Sequence, residues 1–103
     1  MNAPDHLRTA AEVILRARVM DSATLIEAAG YFWSASFDEE HWPLALRVDS
    51  TSLKAKLLAR GSIAATVPTY NQNTLRAVSR ELLQFCQNAI PVLESQRRIA
   101  ASL

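Results

Sequence analysis

The run Asp38-Glu39-Glu40-His41 places a carboxylate and an imidazole three residues apart, a spacing found in helical metal sites. Such sites need further inward-facing carboxylates and a second histidine with the same spacing. The other histidine, His6, has no carboxylate three or four residues after it. We therefore predict no metal site and no cofactor.

The other reactive residue types lack the neighbours that catalysis requires. Cys86 follows Phe85 in an apolar helical pattern, which favours a small core residue over a reactive thiolate. The serines lack the flanking glycines of a nucleophile elbow, and Gly30 and Gly61 are too far apart to form a phosphate-binding loop. Because no catalytic motif is found, we predict that the protein is not an enzyme.

Most of the aromatic residues lie around the acidic run, between residues 31 and 42. Large rings bury the most area and are enriched at protein interfaces. These rings could close one end of a helical core, or form an exposed patch rimmed by acidic side chains. We expect a mixture, in which the exposed rings contact another subunit or another protein. The candidate partner-binding residues are Tyr31, Trp33, Phe37 and Trp42.

Charge is unevenly distributed, because the chain is acidic through Ala45 and basic from Leu46 onward, although the net charge is only +1. Antiparallel helices from the two halves would let these charges offset one another. As an alternative, the basic half could bind DNA through a helix-turn-helix between Leu53 and Leu83. Its linker, however, is longer than the usual turn. The candidate nucleic-acid residues are Lys54, Lys56, Arg60, Arg76 and Arg80.

The cysteine content and hydropathy predict a compartment. Cys86 has no second cysteine for a disulfide, which indicates a reducing environment. The apolar runs are interrupted by charges too often to span a membrane, and the first residues lack the pattern of a signal peptide. We therefore predict a cytoplasmic protein without membrane association.

Apolar residues recur at helical spacing, and no long alternation indicates a strand. A first helix should run from about Asp5 to Val19 or beyond. The residues after it either continue that helix or begin another, because Asp21, Ser22 and Thr24 are good capping residues and Thr24 forms a capping-box pattern with Glu27. A third helix should begin near Pro43 or Leu44, with core positions Leu46, Leu53, Leu57 and Leu58.

The later part of the chain has clearer boundaries. Gly61 should end the third helix, although residues 49–52 could interrupt that helix. Residues 62–71 form the predicted linker. A last helix capped by Asn71 or Asn73 carries the strongest periodic pattern and is kinked or restarted at Pro91.

We therefore predict an all-α, single-domain protein over residues 1–103, folded as an up-and-down bundle of three or four helices. Its predicted function is protein–protein association, as a homodimer or as an adaptor for another protein. The alternative is a small DNA-binding regulator that uses the basic C-terminal half.

Overall fold

Short polar side chains cap the start of most of the helices, and two of these caps, Asp21 and Asn71, are among those that the sequence predicts. The computed structural model describes residues 2–102. The side chains of Asn2, Asp21, Ser62 and Asn71 each accept a hydrogen bond from a backbone N–H three residues later. Within residues 2–102, the elements are α1 (Ala3–Arg16), α2 (Ser22–Ala35), a 3-10 segment (Ser36–His41), α3 (Leu44–Leu57), α4 (Ile63–Thr66), a 3-10 turn (Val67–Thr69) and α5 (Gln72–Ser102).

The all-α prediction is confirmed, because the described residues contain helices and no strand. The number of helices is wrong, since the described part of the chain forms five α-helices rather than three or four. The first helix ends at Arg16 rather than near Val19, and α2 is a separate helix. Its cap is Asp21, one of the three predicted capping residues, because the Asp21 carboxylate accepts the Thr24 backbone N–H at 2.8 Å.

Residues 62–71 are more ordered than the predicted linker. They contain α4 and the second 3-10 turn, and Thr66 and Val67 are buried. The Tyr70 hydroxyl donates a hydrogen bond to the Lys56 carbonyl oxygen at 2.7 Å, which fastens this connection to the end of α3. Gly61 has a φ of 95° and lies in the turn after α3, which ends at Leu57.

α3 is continuous through residues 49–52, so the predicted interruption does not occur. The buried Ser50 hydroxyl donates to a carboxylate of the 3-10 segment instead of competing for local backbone groups. Leu46, Leu53 and Leu57 are buried as predicted, whereas Leu58 is only half-buried at the helix end.

α5 is 31 residues long and is also continuous through Pro91. A helix of that length spans about 46 Å, close to the 47 Å long axis of the molecule. α1 runs antiparallel to it, because Arg8 forms an ion pair with Glu94 and the Gln72 side chain bonds to the Met20 carbonyl oxygen. Pro91 is tolerated on the exposed side of the helix, where solvent can bond to the unpaired carbonyl oxygen.

The core lies where α1 and α2 pack on α5 and where Trp42 and α3 close one side. Phe32 of α2 is fully buried, and its ring meets the Phe85 ring edge-on, with centroids 5.3 Å apart. Cys86 is a buried core residue, as predicted, and burial raises the pKa of its thiol to about 12. Because this core uses only the inner face of α3, the outer face of α3 and most of the acidic 3-10 segment lie at the surface.

Candidate interaction surface

The aromatic residues chosen from the sequence separate into a buried and an exposed group. Trp42 is only 3% exposed, and its ring lies 6.0 Å from the Phe85 ring. Its extended backbone, followed by Pro43, turns the side chain inward before α3 begins. The prediction that Trp42 is a partner-binding residue is therefore wrong, because its side chain belongs to the core.

Trp33 and Phe37 are the two candidate rings that the structure brings together at the surface. They are 37% and 74% exposed, and their rings meet edge-on with centroids 6.1 Å apart. Tyr31 is half-buried and lies toward α1, with its ring 6.5 Å from the His6 ring. Tyr31 is therefore on a different side of α2 from the exposed pair.

A polar network fixes this aromatic pair against α3. The Lys54 ammonium lies 5.2 Å from the centre of the Trp33 ring and donates to Glu39 Oε1 at 2.8 Å. The Ser50 hydroxyl donates to the other Glu39 oxygen at 3.0 Å. These contacts hold the 3-10 segment, and Phe37 with it, alongside the middle of α3.

Partial burial by itself raises the pKa of Glu39, but its surroundings reverse this effect. Hydrogen bonds from Lys54 and Ser50, together with the positive charges of Lys54 and Arg47, leave the pKa below its usual value. The ionised carboxylate is thus the form that the folded protein favours.

We predict that Glu39→Gln lowers the free energy of unfolding at neutral pH by roughly 1 kcal/mol, because it removes a charge-assisted hydrogen bond that is partly exposed. The pKa of Glu39 is lower in the folded protein than in the unfolded chain. The stability that ionised Glu39 gives to the native protein is therefore fully present above the unfolded-state pKa, and it is lost as pH falls through the folded-state pKa. Urea unfolding at neutral and acidic pH measures both effects.

Glu40→Gln is the matched control, because the Glu40 carboxylate is exposed and its ion-pair contact within residues 2–102 is with the exposed His41 side chain, at 3.4 Å. Equal losses of stability for the two variants at neutral pH would show that the Glu39 network does not hold the 3-10 segment.

Besides the aromatic pair, a stripe of exposed, mostly apolar residues runs along the outer face of α3. Leu44 and Val48 are 68% and 58% exposed, and Thr51 and Ala55 continue the same face. With the half-buried Leu58, these residues recur in steps of four, three, four and three, the spacing of a helix-pairing seam. Sequence reasoning missed this stripe because it selected the core positions of α3 and assigned Leu44 and Val48 to no surface.

The stripe adjoins the aromatic pair. Lys54, which lies over the Trp33 ring, is three residues from Thr51, and residues with that spacing are neighbours on a helix surface. Exposed apolar residues that lie together typically mark a contact site. We call the following residues the α3 surface: Trp33, Phe37, Leu44, Val48, Thr51 and Ala55.

The predicted nucleic-acid residues have different environments. Lys54 and Lys56 form ion pairs with Glu39 and Glu81, at 2.8 Å and 2.7 Å. The remaining three, Arg60, Arg76 and Arg80, are exposed.

The segment of the alternative helix-turn-helix, residues 53–83, contains the end of α3, α4, the second 3-10 turn and the start of α5. Residues 58–71 separate α3 from α5, and the α4 helix between them has only four residues. The connection is longer than the three or four residues usual in that motif.

Two open grooves lie away from the α3 surface. One, between α3 and α5, has a volume of about 430 Å³, with Leu53 and Phe85 among its lining residues. The other, of about 460 Å³, lies between the start of α1 and the end of α5 beside Trp42.

Residues 2–102 contain no group of three or more His, Cys, Asp or Glu side chains that could hold a metal ion. Over the same residues, no helix is both long and apolar enough to span a membrane. Comparisons with protein-family models, curated proteins and solved structures gave no match.

Proposed function

We propose that this chain is a non-enzymatic helical protein whose function is protein–protein association through the α3 surface. The observation that carries the proposal is the exposed Trp33–Phe37 pair beside the exposed stripe of α3. Aromatic side chains supply large contact area with few rotatable bonds, and they are frequent among the residues that dominate binding energy.

The polar network supports the same proposal. Lys54 and Glu39 hold the rings in place before any partner arrives, which reduces the conformational entropy lost on binding. The exposed carboxylates of Asp38 and Glu40 lie next to Phe37 and provide a charged rim.

A photo-crosslinking amino acid placed at Val48 tests this function in cells that express the protein. We expect a covalent adduct with a protein at this position and none when the same amino acid replaces Leu15, an exposed apolar residue of α1. Mass spectrometry of the adduct then identifies the contacted chain, whether it is this protein or another.

We predict that Phe37→Ala lowers the yield of the Val48 adduct roughly tenfold, because it removes an exposed ring that anchors the contact. The ring is 74% exposed, so its loss should change the free energy of unfolding by no more than about 0.5 kcal/mol. Leu15→Ala is the matched control and should leave the adduct unchanged. Adducts of equal yield at Val48 and Leu15 would contradict the proposed function.

DNA binding is the second candidate, favoured by the exposed Arg60, Arg76 and Arg80 side chains, for which the described residues provide no ion pair. Fluorescence anisotropy with a labelled duplex distinguishes the two functions. Binding that weakens steeply as salt is added would support the DNA-binding regulator.

A further inference from the structure

The outer stripe of α3 is complementary in shape to the same stripe on a second copy of the chain. Its bulky residues, Leu44 and Val48, lie in the N-terminal half, and its smaller ones, Thr51 and Ala55, lie in the C-terminal half. If two α3 helices pack antiparallel about a two-fold axis, Leu44 lies level with Ala55 of the second copy, and Val48 lies level with Thr51. Each layer then contains one larger and one smaller side chain, which allows the two stripes to interdigitate.

Small residues also follow the stripe along one side. Ala45 and Ser52, which are seven residues apart in α3, lie next to the seam and are exposed. They present little bulk to an approaching helix, so the two backbones can come close together along this side.

Charge on the opposite side of the stripe selects the antiparallel direction. Glu39 is anchored at Ser50 and Lys54, so the acidic 3-10 segment lies level with the second half of α3. The exposed Arg47 lies on that same side in the first half of α3.

In the antiparallel arrangement, Arg47 of one copy lies level with residue 52 of the other, opposite the acidic segment that carries Asp38 and Glu40. The two-fold axis repeats this match between opposite charges. A parallel, in-register pair would instead set the charged side of each stripe against the small-residue side of the other copy, so that Arg47 would lose this match with the acidic segment.

We infer that the partner at the α3 surface is a second copy of this chain, bound through antiparallel packing of α3 on α3. This inference rests on the proposed function and specifies its partner. Both rings of the aromatic pair lie on the charged side of the stripe, so the second copy also covers part of Trp33 and Phe37.

Light scattering on a sizing column, over a range of concentrations of the purified protein, tests the pairing. We expect a dimer mass that falls toward the monomer mass on dilution. Val48→Lys should raise the dissociation constant roughly 100-fold, since it places a charge in the central layer of both copies. Val19→Lys is the matched control, because Val19 is exposed outside the α3 surface, and it should leave the constant unchanged.

Disulfide mapping tests the direction of packing. The native Cys86 is buried and its thiol has a pKa of about 12, so it does not compete with introduced cysteines. Oxidation of a mixture of Leu44→Cys and Ala55→Cys proteins should yield the mixed disulfide dimer. Each variant oxidised alone should yield little, because eleven residues of helix place the two identical positions about 16 Å apart along an antiparallel pair.

Four outcomes are decisive. A dimer with the mixed disulfide supports the inference, and a Leu44→Cys homodimer overturns the antiparallel arrangement. A strict monomer whose Val48 adduct contains a different protein overturns the self-pairing but leaves the proposed function in place. A strict monomer with no adduct at Val48 contradicts both.

Discussion

Phe32→Ala should lower the free energy of unfolding by about 3–5 kcal/mol, the range measured for removal of a buried aromatic side chain. Phe32 is fully buried, and its ring meets Phe85 edge-on with centroids 5.3 Å apart, so truncation removes apolar contacts and leaves a cavity. The surrounding residues of α1, α2 and α5 belong to long helices that cannot easily close around the gap. Because domains of this size are stable by only about 5–15 kcal/mol, this loss is a large part of the total.

Urea or guanidinium unfolding followed by circular dichroism measures this change. Phe37→Ala is the matched control, since it is the same substitution at a ring that is 74% exposed, and it should cost no more than about 0.5 kcal/mol. If the two variants lost equal stability, the division of the aromatic residues into a core group and a surface group would be wrong.

Trp42→Ala should also lower the free energy of unfolding by about 3–5 kcal/mol, while the folded fraction keeps its association at the α3 surface. Trp42 is almost completely buried, and its ring centroid lies 6.0 Å from that of Phe85. Denaturant unfolding gives the stability, and the Val48 photo-adduct, measured under conditions in which the variant is folded, gives the association.

Trp42→Phe provides a conservative comparison. The Trp42 Nε1 group is buried and has no hydrogen-bond partner among the described residues. Phenylalanine removes this unsatisfied donor and keeps an aromatic ring, so we expect a cost below about 1.5 kcal/mol. A Trp42→Ala variant with normal stability and lost association would instead place Trp42 in the interface.

The helical class and several boundaries could be predicted from local residues. The apolar spacing along α5 predicted a long helix, and all six residues of that pattern are buried: Leu75, Val78, Leu82, Phe85, Ala89 and Leu93. Asn71 caps that helix as one of the two predicted alternatives. These signals are visible in the sequence because they depend on residues within one or two turns of each other.

The division of α1 from α2 was harder to predict, since the apolar register continues between them. A single hydrogen bond, from the Thr24 N–H to the Asp21 carboxylate, marks the start of α2. The local sequence is compatible with one continuous helix and with two separate helices. The packing of α1 and α2 against each other requires the chain to turn between them. The helix α4 was also not predicted, because it forms within the residues assigned to a linker. Tertiary contacts bury Thr66 and Val67 there.

Periodicity and composition are local properties, and they alone predict the all-helical class, the core stripe of α5 and the concentration of aromatic residues near the acidic run. The tertiary structure was needed to show that Trp42 is buried and that Phe37 is exposed. It also showed that Lys54 lies between Glu39 and Trp33, and that α3 has an apolar outer stripe. The exposure of a side chain depends on which distant helices pack against it, and spacing along one helix does not contain that information.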